Sequence, residues 1–198
     1  VPRVTKQPIG QVVCQSDSYE LTAEVETGGA TSLSYQWYFN NQPISSNGNS
    51  NSSIFKVNSM SAANEGTYYL KIRNAQCGLD GESQRVNLIY QEKPNPSFTA
   101  GGKSLNSCVN DAEYTFINTS PLATNVSYLW SVSDGTTSRS VNNFTHKFIN
   151  TGLYEISLTA TAQGCEPKTV ALTASGDKKI RVNAAPTFKK DLASSMTI

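Results

Sequence analysis

One frame of residues occurs twice in this chain, and nothing else constrains its fold as strongly. Cys14 leads to Ser34-Tyr35-Gln36-Trp37, then Gly66-Thr67-Tyr68, then Cys77. Cys108 leads to Ser127-Tyr128-Leu129-Trp130, then Gly152-Leu153-Tyr154, then Cys165. The opening Cys precedes its Trp by 23 positions in one copy and 22 in the other, and the Tyr precedes the closing Cys by 9 and 11. Repetition over such a span marks successive modules and sets the architecture before single residues are assigned. A chain of 198 residues has room for two such modules of roughly 90–100 residues each.

Within each copy the apolar residues alternate, which is the strand signature. Leu21, Ala23 and Val25 share a face, as do Tyr35, Trp37 and Phe39, then Tyr68, Leu70 and Ile72, then Val86, Leu88 and Tyr90. The second copy supplies Tyr114 with Phe116, Tyr128 with Trp130 and Val132, and Tyr154 with Ile156, Leu158 and Ala160. Turn clusters separate these runs: Thr27-Gly28-Gly29, the stretch 47–53, Ser133-Asp134-Gly135 and Asn150-Thr151-Gly152. No helical period is sustained, although residues 59–64 suit one short turn. Short strands punctuated in this way imply an all-β chain of two tandem antiparallel β-sandwiches. The expected domains are 1–92 and 93–184, with Pro94-Asn95-Pro96 as a short, stiff junction. Pro186-Thr187-Phe188 echoes Pro96-Ser97-Phe98, so 185–198 is expected to open a following module or form a tail. The chain then reads as a piece of a longer secreted protein.

A net charge of +1 with 16% charged residues gives no electrostatic footprint for nucleic acid or an anionic membrane. No apolar run approaches the roughly 20 residues a membrane span needs. Four cysteines allow three pairings. The repeat favours Cys14–Cys77 and Cys108–Cys165, each closing a loop of about 60 residues and contributing roughly 4 kcal/mol. Such bridges persist in oxidising compartments, which points to the cell exterior or the periplasm. Zinc is disfavoured, since there is no Cys-x-x-Cys and a single His.

Over about 90 residues the first module resembles an immunoglobulin-like domain. Trp37 stands where that fold buries a Trp, and Asn64-Glu65-Gly66-Thr67-Tyr68-Tyr69 matches its tyrosine corner. The resemblance places the usual inter-sheet Cys pair at Ala23 and Leu70, so an apolar contact is expected there, with Cys14 and Cys77 clamping strand ends outside it. The second module resembles a polycystic-kidney-disease (PKD) repeat. Trp130-Ser131-Val132-Ser133-Asp134-Gly135-Thr136 follows that family's Trp-x-Phe-Gly-Asp-Gly-Thr motif, with Val132 and Ser133 departing from the usual Phe and Gly. Phe144-Thr145-His146-Lys147-Phe148 and Gly152-Leu153-Tyr154-Glu155-Ile156 match its later strands. Alternation of the two module types resembles the long surface proteins of Bacteroidetes-type bacteria, including gliding-motility adhesins and other type 9 secretion substrates. That resemblance implies display at the cell surface and adhesion.

The residue inventory argues against an enzyme. His146 is the only His, and its place in the PKD-like motif implies a structural role. Asp111 with Glu113, and Asp134 alone, are the candidates for calcium, but they lack the dense spacing of a dedicated loop. No cofactor or metal is therefore expected. Asn51, Asn118, Asn125 and Asn143 head Asn-x-Ser/Thr sequons. Tyr38 and Tyr69 fall out of phase with the core residues beside them, so they are expected in solvent, side by side near Lys71 and Gln36. Paired tyrosines make rigid recognition anchors, and these two are the candidate ligand-contact residues. The leading expectation is a non-enzymatic extracellular segment of a large bacterial adhesin, made of disulfide-clamped structural and adhesive modules. Its expected partners are neighbouring modules and surface polysaccharide or extracellular protein. The alternative is a pair of accessory carbohydrate-binding modules from a secreted multidomain enzyme.

Overall fold

The computed structural model describes residues 2–29, 32–45, 50–76, 78–121, 123–172 and 179–187. The chain clusters into two compact units. Unit 1 comprises Val1–Pro94, Ala123–Val126 and Thr161–Pro167; unit 2 comprises Asn95–Leu122, Ser127–Ala160 and Lys168–Ile198. The architecture is all-β, as the alternation requires. The expected module start at 185–198 falls mostly outside the described residues.

The first repeat supplies β1 (Arg3–Lys6), β2 (Gln11–Cys14), β3 (Tyr19–Thr22), β4 (Glu24–Glu26), β5 (Leu33–Phe39), β6 (Gln42–Pro43), β7 (Ile54–Val57), β8 (Gly66–Asn74), β9 (Leu79–Glu82) and β10 (Val86–Gln91). One layer pairs β1 with β4 and β3 with β7; the other runs β2-β10-β8-β5-β6, with β9 also on β8. The β5–β6 hairpin turns on Asn40 and Asn41 at φ 47° and 67°, a conformation asparagine tolerates because its short amide can bond locally. Alternation along β5 sends Trp37 inward, where it is fully buried with Leu21, Leu70, Ile72 and Leu88. The Trp37 indole N–H is not stranded there: it donates to the Ser52 carbonyl at 2.9 Å. Ala23 and Leu70 both lie in this core, where the resemblance to an immunoglobulin-like domain put an apolar substitute for the missing bridge. The short turn expected near 59–64 is a 3-10 helix, Ala62–Asn64. Directly after it the Tyr68 hydroxyl donates to the Asn64 carbonyl at 2.8 Å, and burial pushes that phenol up to about 12.

The second repeat supplies β11 (Phe98–Thr99), β12 (Asn106–Cys108), β13 (Glu113–Asn118), β14 (Val126–Val132), β15 (Thr137–Ser138), β16 (Phe144–Lys147), β17 (Gly152–Tyr154), β18 (Ile156–Ala162), β19 (Lys168–Ala171) and β20 (Ile180–Asn183). Its sheets run β11-β13-β16, β15-β14-β18-β19 and β12-β20-β17. Tyr114, Phe116, Trp130, Ile156, Leu158 and Ile180 are fully buried in its core. Each anchor of the frame recurs. The Trp130 indole donates to the Ser140 carbonyl at 3.1 Å, and the Tyr154 hydroxyl to the Asn150 carbonyl at 3.0 Å. The parallel pairing of β2 with β10 is matched by that of β12 with β20. The doubled frame is thus a doubled topology.

Candidate functional site

The disulfide departs from the pairing that the repeat favours. Cys14 bonds to Cys165, with the Cα atoms 5.1 Å apart, and both residues lie in unit 1. The expected Cys14–Cys77 and Cys108–Cys165 bridges are therefore not formed. Cys108 is a half-buried free thiol, and Cys77 lies outside the described residues. Strand direction explains the correction. Because β2 runs parallel to β10, Cys14 lies level with Gln91 at the end of β10. The turn after β8, closed by the Gly78 N–H on the Asn74 carbonyl, precedes β9 and β10 and so stands at their far end. A run of about a dozen residues at ~3.3 Å each separates the two ends, far beyond disulfide reach. Cys108 obeys the same rule, sitting level with Asn183 at the end of β20.

What surrounds the bond is specific. Gly164 holds φ +74°, and a Cβ there would stand 2.7 Å from the Val12 carbonyl oxygen, so only glycine lets this turn approach β2. The Cys165 N–H closes the turn on the Ala162 carbonyl at 3.2 Å, and the Gln15 N–H donates to the Gln91 carbonyl at 2.8 Å. Gln91 is buried, and its side-chain amide donates to the Thr124 carbonyl at 3.1 Å. Gly164, Gln91 and Thr124 carried no motif. Gly164 directly before a Cys was the one available signal.

Tyr38 and Tyr69 are direct cross-strand partners on β5 and β8, stacked with centroids 5.0 Å apart and planes 13° from parallel. Tyr69 is nevertheless not in solvent, contrary to expectation: it is 3% exposed. The Arg85 guanidinium lies 3.8 Å from its ring centroid, held there by Asn41 Oδ1 at 2.6 Å and Glu82 Oε1 at 3.0 Å. Periodicity assigned the face correctly; the cover comes from Arg85, in the loop between β9 and β10. Tyr38 stays half-buried, with Lys71 Nζ 4.9 Å from its centroid. It borders a groove of about 180 Å³ lined by Ser34, Gln36, Tyr38, Lys71, Arg73 and Asp80. Lys71 and Arg73 stand 3.8 and 4.0 Å from Glu82 and Asp80, beyond hydrogen-bond range.

The other candidates have local partners. Asp134 Oδ1 accepts the Thr136 N–H at 2.9 Å, and Oδ2 meets His146 Nε2 at 2.8 Å. Partial desolvation pushes the Asp134 carboxyl up, but hydrogen bonds from Thr136 and His146, and the His146 charge, hold it below its ordinary value. The His146 ring packs edge-on against Phe148, 4.6 Å between centroids. Lys103 Nζ donates to Asp111 Oδ1 at 3.2 Å and to the Glu113 carbonyl at 2.9 Å. Among the described residues no group of three or more His, Cys, Asp or Glu converges as a metal site would require. Asn51, Asn125 and Asn143 are exposed, whereas the Asn118 amide donates to the Val141 carbonyl at 2.9 Å.

Residues 1–74 match the family model for an immunoglobulin domain, and residues 98–165 match that for a PKD domain. The chain thus carries tandem immunoglobulin-like and PKD domains, module types that are typically structural and non-catalytic. No curated protein matches the sequence. Among solved structures it is similar to an I-band fragment of titin, at 14% identity and a TM-score of 0.59, over 91% of this chain and 65% of that one. It is similar to Sidekick-1 immunoglobulin domains 1–4 at 15% and 0.64, over 92% and 48%. It is also similar to the N-terminal immunoglobulin domains of Down Syndrome Cell Adhesion Molecule, at 11% and 0.62, over 86% and 27%. The chain spans less than two thirds of each, and at these identities the likeness is one of fold. No helix among the described residues is long and apolar enough to cross a membrane.

Proposed function

We propose that this chain is a non-enzymatic, extracellular segment of a large surface adhesin, with domains at 1–92 and 93–184 acting as structural and adhesive beads beside further modules. The observation that carries this reading is the doubled β-sandwich plan together with the Cys14–Cys165 bond, because such a bond endures where thiols are oxidised. The Bacteroidetes-type setting, with type 9 secretion and gliding motility, rests on the module resemblance alone. Adhesion of beads coated with the oxidised fragment to cells, glycans and matrix proteins tests the proposal. Coated beads that hold no better than bare beads on every surface would sink the adhesive part.

The groove beside Tyr38 favours a second reading, the accessory carbohydrate-binding module. Its volume is below the 300 Å³ of a typical small-molecule site, which suits a single sugar ring. Tyr38 supplies an apolar wall, Ser34 and Gln36 supply hydroxyl and amide groups, and Lys71 and Arg73 suit an acidic sugar. On a glycan array, strong binding to carboxylated sugars that Tyr38→Ala or Lys71→Ala abolishes would replace the spacer reading with this one.

A further inference from the structure

We propose that the Cys14–Cys165 disulfide is a mechanical bypass: tension on the chain crosses from residue 14 to residue 165 through the S–S bond, and the span between them carries none. This rests on the reading of the chain as a surface segment under pull. The sequence separation is 151 residues, while the Cα atoms it joins are 5.1 Å apart. Freely extended, that span would reach about 500 Å at ~3.3–3.6 Å per residue. Strands β3 to β18, Trp37, Trp130 and both tyrosine corners lie inside the closed loop. Outside it are residues 1–13 and 166–198, which include β1, most of β2, β19 and β20.

Tension on the oxidised chain therefore loads few ladders. It pulls β1 from β4, β2 from β10, β19 from β18, and β20 from β12 and β17. Each ladder bond contributes only about 0.5–1.5 kcal/mol net, so these strands peel while the covalent link holds. Gly164 and Gln91 give the bond a fixed seat, since one permits the close turn at Val12 and the other ties the end of β10 to Thr124.

Reduction removes the bypass. A dithiol's thiolate attacks one protein sulfur, expelling the other as a thiolate and forming a mixed disulfide; the reductant's second thiolate then attacks its own bound sulfur and expels the first protein sulfur. Two electrons pass to the protein, leaving Cys14 and Cys165 as thiols and the reductant as its own disulfide.

Single-molecule stretching of the whole chain between marker domains, before and after dithiothreitol, tests this. Reduced molecules are expected to release about 500 Å more contour length than oxidised ones. Oxidised molecules that reach the full length of the chain would overturn the bypass. Cys14→Ser and Cys165→Ser should each extend fully without reductant; should neither fold, the wild-type comparison decides alone. Bead adhesion measured on the same oxidised sample separates the two proposals. Lost adhesion with the length difference intact removes the adhesive reading only, whereas equal lengths with adhesion intact remove the bypass only.

Discussion

Removing a single oxygen from Tyr68 tests whether the tyrosine corner locks the first sandwich. Tyr68→Phe keeps the ring, which is 2% exposed, so no cavity forms and the change isolates the hydroxyl. That hydroxyl donates to the Asn64 carbonyl at 2.8 Å. Its loss removes one hydrogen bond and leaves a half-buried carbonyl short of its partner, a cost of about 1–3 kcal/mol. With a urea dependence of roughly 1–3 kcal/mol per molar for a small domain, the midpoint should fall by about 1 M. The indole N–H signals of Trp37 and Trp130 report the two sandwiches separately in an NMR-monitored urea titration. The Trp37 midpoint should drop while that of Trp130 stays. Tyr154→Phe should act on Trp130 instead, and less strongly, because its hydroxyl bond to Asn150 is exposed and water can replace it. An unchanged Trp37 midpoint in Tyr68→Phe, or a larger effect from Tyr154→Phe, would show that the Tyr68–Asn64 bond does not lock the first sandwich.

Other perturbations have equally definite outcomes. Because burial raises the Tyr68 phenol to about 12, its contribution to stability is complete below pH 10 and is lost as pH rises towards 12; spectrophotometric titration should show a tyrosine ionising near pH 12 that Tyr68→Phe removes. Asp134 runs the opposite way: held below its ordinary value near 3.8, it contributes above that pH and loses the contribution as acid protonates it. Asp134→Asn should therefore flatten the acid limb of the stability profile of the second sandwich. Gly164→Ala places a Cβ in a left-handed turn against Val12 and should cost about 1–3 kcal/mol, seen as a lower melting temperature and a smaller yield of disulfide on oxidative refolding. Reducing the Cys14–Cys165 bond releases a 151-residue loop and should cost up to about 5 kcal/mol in the chain-entropy model, checked by urea midpoints with and without reductant.

Much of the architecture was legible because it is local. Alternation in residues 35–39 or 154–160 needs only neighbouring positions to declare a strand, and the Trp and Tyr anchors recur at fixed offsets within each copy. Trp37, Trp130, Tyr68 and Tyr154 accordingly stand where the frame put them. The cysteines misled because their partner depends on a long-range property, the parallel course of β2 beside β10, which sends Cys14 away from the turn after β8. Treating each Cys pair as a bracket around its own module assumed that both ends of a module lie together. Tyr69 was misplaced for a related reason. Its phase shows that it leaves the core of Trp37 and Leu70, but not that Arg85, fixed by Asn41 and Glu82, covers it. Gly164 has no sequence signal beyond its place before Cys165, and only the approach of the Val12 carbonyl gives it a reason.

One disulfide joins the end of β2 to the turn after β18 and closes β3 to β18, drawn from both repeats, into a single loop. Peptide mapping of the non-reduced protein by mass spectrometry tests it most directly, with free thiols alkylated before digestion. A linked pair of peptides carrying Cys14 and Cys165, and an alkylated Cys108, are the expected products. Linked peptides carrying Cys14 with Cys77, or Cys108 with Cys165, would contradict it.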